Sequence, residues 1–292
     1  MKHALIAVAA VMLFAAGAPA GDAPAKAVRD DSAAEKLGFK LGLQCYTFRA
    51  ITFFETVDKA AAMGIKYLEI YPGQKLKPGS NLTTSAGMSD DVIAEIRQKL
   101  KDAGGLKVVC YGVAGVPNDE AQARKLFDWA KKMGIEVLVT ETTPTPMHDK
   151  LCQEYGIRMA LHNHPATWPP DKVLAACKGL SPMIGSCSDT GHWMRANMNP
   201  VENLKKLEGR IISLHFKDLN KFGADKEPPG GPHDVPWGTG KGDVRAMLSE
   251  LKRQGFKGYF SIEYEHGGVE DLLKNVPKCV EFFDKVCAEL AG

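Results

Sequence analysis

Three short stretches each carry a side chain that can ligate a metal or move a proton to the point where a strand-like run gives way to a loop. The run from Ile184 to Trp193 delivers Asp189 and His192. Ile211-Ile-Ser-Leu-His215-Phe-Lys217-Asp218 delivers His215, and Tyr259-Phe-Ser-Ile-Glu263-Tyr-Glu265 delivers Glu263. Val137-Leu-Val-Thr-Glu141 ends in the same way, on Glu141. Several unneutralised acids on one rim would repel each other, and a shared cation removes that cost. Glu141, Asp189, His215 and Glu263 are therefore expected to hold one divalent metal ion. Three carboxylates and one imidazole suit Mn, Mg, Co, Zn or Fe(II) without selecting among them. The bland alternative for any one of these residues is an ion pair at a strand end.

Apart from His148, the histidines that follow residue 20 (His162, His164, His192, His215, His233 and His266) fall at strand ends or in the loops after them. Lys217 alternates to the same side as His215 and could hold a substrate oxygen. Trp168, Trp193 and Trp237 sit in expected rim loops, where aromatic faces can pack on sugar rings. His162, His233, Lys217 and Trp237 are read as substrate-binding, and Glu263, Glu141 and His192 as catalytic. Glu69 ends another strand, as a substrate-binding acid or as a structural partner. Glycine-rich nucleotide loops, a Ser-His-Asp elbow and paired CxxC motifs are absent from the sequence.

These residues need a frame that brings strand ends together. A recurring junction supplies it, in which a helical stretch ends in Gly, then an apolar residue, a charged residue and a strand. Gly64, Gly134, Gly156 and Gly255 mark four such junctions, each offering the left-handed position that closes a helix. Strands are expected over 41–46, 67–71, 107–111, 137–141, 158–162, 184–188, 211–215 and 259–263. They are apolar with little polar alternation, as when both faces are covered. Helix starts are legible in a Thr52/Glu55 capping box, in Ser89 before two acids, and in Asn199-Pro200. Eight alternating units favour a single α/β domain, a closed (β/α)8 barrel whose chemistry lies at the C-terminal ends of the strands. A doubly wound open sheet is the alternative. The long Gly- and Pro-rich connection Leu219 to Gly242 reads as a lap over the substrate.

Composition narrows the class. The chain has 292 residues, 45% hydrophobic and 25% charged, with a formal net charge of +2. No basic footprint of a nucleic-acid binder is present. Residues 1–20 read as a secretory signal, with Lys2, an apolar run from Ala4 to Ala16 and an Ala18-Pro19-Ala20 cleavage site. The run is too short and alanine-rich for a membrane anchor, so export to the periplasm or beyond is expected. Residues 21–37 read as a flexible leader, with the barrel over 38–292. The seven cysteines read mostly as buried thiols, with one bridge left open. Assembly into a homo-oligomer also stays open.

At its motifs the chain resembles the xylose isomerase-like TIM barrel superfamily, specifically its sugar phosphate isomerase/epimerase group. The carriers are Ser188-Asp189-Thr190-Gly191-His192, Leu214-His215-Phe216-Lys217-Asp218, Trp237-Gly238-Thr239-Gly240 and Ser261-Ile262-Glu263, and the likeness spans nearly all of 38–290. The resemblance implies that Asp189, His215 and Glu263 bind the metal and that His192 contacts substrate hydroxyls. The chain departs at strand five, where ketose epimerases of the group place a Glu and this chain has His162. Either Glu141 completes the shell from the neighbouring strand or His162 ligates in its place.

The expected activity is metal-dependent isomerisation or epimerisation of a sugar or polyol carbonyl, through proton abstraction and a metal-stabilised enediolate. A lyase eliminating from a 3-keto-glycoside is the alternative. An exported sugar-binding protein without catalysis is a reading of another class. Phosphodiester cleavage, as in endonuclease IV-type enzymes of this fold, fits neither the charge nor the signal segment.

Overall fold

A computed structural model describes residues 29–164, 167–224 and 230–292. Eight parallel strands close in chain order: β1 Phe39–Gln44, β2 Tyr67–Ile70, β3 Lys107–Tyr111, β4 Val137–Thr140, β5 Arg158–His162, β6 Ile184–Asp189, β7 Ile211–Phe216 and β8 Gly258–Ile262. Pairing of β1 with β8 completes the ring, which rules out the open doubly wound sheet. The outer layer holds α1 Ser32–Leu37, α2 Phe53–Ala62, α3 Asp90–Asp102, α4 Glu120–Met133 and α5 Pro146–Tyr155. It continues with α6 Pro170–Ala176, α7 Thr190–Arg195, α8 Pro200–Lys206, α9 Val244–Arg253 and α10 Val269–Ala291. No helix among the described residues is long and apolar enough to cross a membrane.

Local chemistry accounts for most of the boundaries. Thr52 and Glu55 form the expected reciprocal cap on α2, and Ser89 and Asn199 accept from the first turns of α3 and α8. Gly134 and Gly156 close α4 and α5 in the left-handed region, at φ 83° and 70°. His148, the histidine away from the rim, is spent on structure. Its Nδ1 faces the Thr145 backbone N–H at the start of α5 and its Nε2 faces the Pro117 carbonyl.

The apolar strands divide their side chains between two layers. Val109, Cys110, Val137, Val139, Ala160, Cys187, Ile212 and Tyr259 form a small cluster of their own, the packed interior of a closed barrel. A larger shell, including Leu41, Leu43, Leu214, Phe216, Phe260 and Ile262, joins the barrel to the helices. All seven cysteines are buried and none is bridged.

One expectation changes here. The flexible leader does not reach residue 37, because α1 packs against α10. The Arg29 guanidinium also holds Asp284 through two contacts, of 2.7 and 2.5 Å. An amphipathic turn with a buried Ala34 is enough to dock it. Residues 1–28, which include the expected signal segment and the start of the leader, lie outside the described residues.

Candidate functional site

Strand register brings the chemistry together. Asp189 on β6 pairs with His215 on β7, and His215 pairs with Ser261 on β8. Continuing that register by two residues sets Lys217 beside Glu263, and Nζ lies 2.7 Å from Glu263 Oε2. His162 ends β5 next to Cys187 of β6. As a result, His162, Asp189, His215 and Glu263 each offer a ligand atom within 4.8 Å of the other three. All four are buried.

Each member of this quartet is held by a separate device. Asp189 is the N-cap of α7: its Oδ1 accepts from the His192 backbone N–H at 2.7 Å, which leaves Oδ2 for the site. Asn163 donates to the Asp189 carbonyl and accepts from its N–H, at 2.9 and 2.8 Å, locking the ends of β5 and β6 together. His215 faces Glu69 through Nε2 at 2.7 Å, and Ser261 donates to the other Glu69 oxygen at 2.7 Å. A carboxylate on the far ring nitrogen fixes the tautomer and turns the Nδ1 lone pair toward the site. Glu69 thus takes the structural role, reaching across the barrel from β2 to β7.

The donor set fits a divalent cation. His215 Nδ1 and Glu263 Oε2 face each other at 3.1 Å without a hydrogen bond between them. Asp189 Oδ2 and both ring nitrogens of His162 are likewise buried without a hydrogen-bond partner among the described residues. Buried acceptors left in this state are expensive, and a common cation satisfies them together.

Charge agrees. The Lys217 ammonium lies 3.0 Å from Asp189 and 2.7 Å from both Glu263 and Glu265, so one positive charge meets three negative ones. Burial opposes ionisation of Asp189 and Glu263. The Lys217 ammonium prevails, holding Asp189 well below the usual carboxylate range and, with His215, lowering Glu263. Burial pushes His192 down to about 3 against the pull of Asp189, so its ring is neutral at physiological pH. Asp234, buried beside Glu265, is raised to about 7.

Comparison with known proteins places the chain. Residues 146–286 match the family described as xylose isomerase-like TIM barrel. A solved uncharacterized protein from Parabacteroides distasonis is 34% identical, with 85% of this chain and 99% of that one covered and a TM-score of 0.66. The chain belongs to the xylose isomerase-like TIM barrel family. Inosose dehydratase of Clostridium botulinum is 28% identical over 131 residues, 40% of this chain and 43% of that protein's length. The match therefore spans under half of that relative. A xylose isomerase-like TIM barrel protein from Mycobacterium smegmatis, solved with magnesium, is 17% identical over 87% of this chain and 98% of that one, with a TM-score of 0.66. At that identity the likeness is one of fold.

Within this xylose isomerase-like barrel several expected site residues fall elsewhere. Glu141 stands outside the quartet; its carboxylate pairs with His164, and the two group with His162 instead. The Glu141 carboxylate is drawn to His164 and Thr167, and His162 stands as the fourth member of the buried cluster. Trp237 does not face substrate. It is 2% exposed and packs edge-on against Phe216 at 5.0 Å. Trp168 and Trp193 are also buried. Lys217 is fully buried and engaged by carboxylates, so it acts on the acids of the site rather than on a substrate oxygen. Gly191 makes room for it, since a Cβ there would sit 2.6 Å from the lysine stem.

The opening above the quartet is a cavity of about 260 Å³ whose walls include Tyr46, Tyr71, His162, His164, His192 and Glu263. Tyr46 and Tyr71 meet edge-to-face at 5.1 Å; these, not the tryptophans, are the aromatic surfaces at the mouth. Sequence reasoning missed both, although each lies one or two residues past a strand end. A second cleft of about 390 Å³ shares His192 and Glu265 and is bordered by Arg49, Arg195, His233 and His266. His233 stacks on His266 there, with centroids 4.3 Å apart. The long connection contributes through Asp218, whose carboxylate accepts from the Gly238, Gly240 and Gly242 N–H groups at 2.9 Å each.

Proposed function

We propose that the protein is a metal-dependent enzyme that removes a proton α to the carbonyl of a free or glycosidic sugar, with isomerisation as its outcome. The observation that carries this is the quartet of buried ligand atoms converging at the floor of a cavity of one-sugar size. His162, Asp189, His215 and Glu263 would hold the cation. Two imidazoles and two carboxylates shift the preference toward Zn, Mn, Co or Fe(II) over Mg. When bound, the cation supplies a Lewis acid that polarises the carbonyl and lowers the cost of charge on its oxygen.

The remaining work falls to the chain itself. Glu263, kept ionised by Lys217 and at the cavity wall, is the base. Lys217 holds Glu263 and Asp189 in place and balances their charge without entering the cavity. His192, neutral and 12% exposed, orients a substrate hydroxyl, and Tyr46 and Tyr71 flank the ring. One carboxylate base on one face can carry a proton between adjacent carbons. Inversion of a carbon requires a second base on the opposite face. Isomerisation is therefore favoured over epimerisation. Elimination, as in a dehydratase or a lyase acting on a 3-keto-glycoside, is the second reading. It needs the same single base, and the inosose dehydratase match supports it. The apolar start and the Ala18-Pro19-Ala20 site support export, which makes a non-phosphorylated sugar the better substrate.

Incubation of the Mn²⁺- or Zn²⁺-loaded protein with ketoses, aldoses and 3-keto-glycosides in D₂O tests this directly. Deuterium is expected at the carbon next to the carbonyl. Glu263→Gln should lower the exchange about 10²- to 10⁴-fold, the usual contribution of a positioned base. Tight sugar binding with no exchange in the wild type would turn the reading to a non-catalytic binder.

A further inference from the structure

We propose that Glu141, His162 and His164 form an outer station through which a divalent cation reaches the buried quartet, with His162 as the ligand common to both. This rests on the reading of the quartet as a metal site and extends it to how that site is filled.

The outer triad is built as a cation cage in its own right. One ligand atom from each of Glu141, His162 and His164 lies within 4.8 Å of the others, a spread that one cation can span. His162 and His164 are alternate residues leaving β5, and alternate residues point the same way; their ring centroids are 4.6 Å apart. Asn163 between them is clamped to the Asp189 backbone, so the pair has a rigid base. Glu141 is anchored from the other side. The Trp168 indole N–H donates to its carbonyl at 3.1 Å, and the Thr167 hydroxyl donates to its carboxylate at 3.3 Å.

Exposure orders the two cages. The side chains of Glu141 and His164 are 33% and 46% exposed, whereas those of the quartet are between 0 and 10% exposed. A cation coming from solvent meets the triad first. A buried metal site requires an entry path, and hydrated divalent ions, magnesium above all, give up their water reluctantly. A half-exposed cage with three ligands exchanges part of that water before the cation moves inward.

The chemistry of His162 makes the two cages sequential. A neutral imidazole has a single lone pair, so one His162 ring serves one cation at a time. Both of its ring nitrogens are buried and without a hydrogen-bond partner among the described residues. Nε2 lies 3.5 Å from Asp189 Oδ2 on the quartet side, but no hydrogen bond fixes the tautomer, so the ring can offer its lone pair to either side. Two filled sites at once would demand a lone pair that the neutral ring does not have.

Rapid mixing of the chelator-stripped full chain with Co²⁺, followed by the cobalt absorption bands and by metal analysis at the end point, tests the idea. The wild type is expected to take up one Co²⁺ per chain. His164→Ala and Glu141→Gln should reach the same one equivalent with an unchanged thermal melt. Their uptake should be about tenfold slower, the scale on which loss of one supporting group is felt at a metal site. Asp189→Asn should keep a weaker, rapidly exchanging Co²⁺ that disappears when His164→Ala is added. Uptake at the wild-type rate in both outer variants would overturn the entry role while leaving the quartet intact. Two equivalents in the wild type would overturn the sequential use of His162. No uptake by the wild type would remove the quartet as a metal site, and this proposal with it.

Discussion

Replacing Asp189 by alanine is expected to yield a folded barrel that retains no tightly held divalent cation and has lost its turnover. The residue supplies one of four ligands and has no substitute in reach. Loss of the Lewis acid removes several kcal/mol of transition-state stabilisation, a fall of about 10³ or more in kcat/KM. Asp189 has two structural duties, the cap on α7 and the buried pair with Lys217; removing an N-cap acid costs about 1 kcal/mol, and the loss of the pair is tempered because Lys217 keeps Glu263 and Glu265. Asp189→Asn separates the two effects. Its amide oxygen can still accept from the His192 N–H, so the cap survives while the charge is gone. Metal analysis and calorimetry on the two variants decide the matter. An alanine variant that keeps both the tightly held metal and the activity would remove Asp189 from the site.

The second large effect concerns folding. Asp218→Ala should destabilise the protein by about 3 kcal/mol or more, since three backbone donors lose their acceptor together. One Asp218 oxygen serves Gly238 and Gly240 and the other serves Gly242. Asp218→Asn keeps one acceptor oxygen and should lie between the wild type and alanine. The glycines answer to the same contact. A Cβ on Gly240 would come within 2.3 Å of the Asp218 carboxylate, and one on Gly238, which sits at φ 80°, within 2.0 Å of Phe282. Urea unfolding of the two Asp218 variants reads the order directly; equal midpoints for both and the wild type would refute it. This also gives the Trp237-Gly238-Thr239-Gly240 motif its physical meaning: it wraps an acid and plugs the shell with an indole.

These two cases show what could be read in advance. Strand positions follow from apolar runs bounded by glycine junctions, because burial on both faces leaves a strong local pattern. β3 and β5 occupy 107–111 and 158–162 as expected, and the other strands shift by one or two residues. Asp189, His215 and Glu263 were legible because each directly ends or follows such a run. Partners that meet across the barrel were not. Glu69 reaches His215 from five strands away, and nothing near either residue records that contact. Lys217 looked like a rim side chain because alternation says which side it takes but not how deep it sits. His162 and Glu141 are separated by one strand, and only the stagger of the closed sheet decides which reaches the centre.

The seven unbridged cysteines give the molecule a set of built-in reporters. Cys110 and Cys187 lie in the barrel interior, while Cys279 and Cys287 lie on α10. Burial pushes the thiols of Cys279 and Cys287 up to about 12, so an alkylating reagent finds no reactive thiolate in the native state. Labelling therefore waits on local or global opening. The order in which these sulfurs react, followed by mass spectrometry, maps which layer of the barrel loosens first without introducing a single probe.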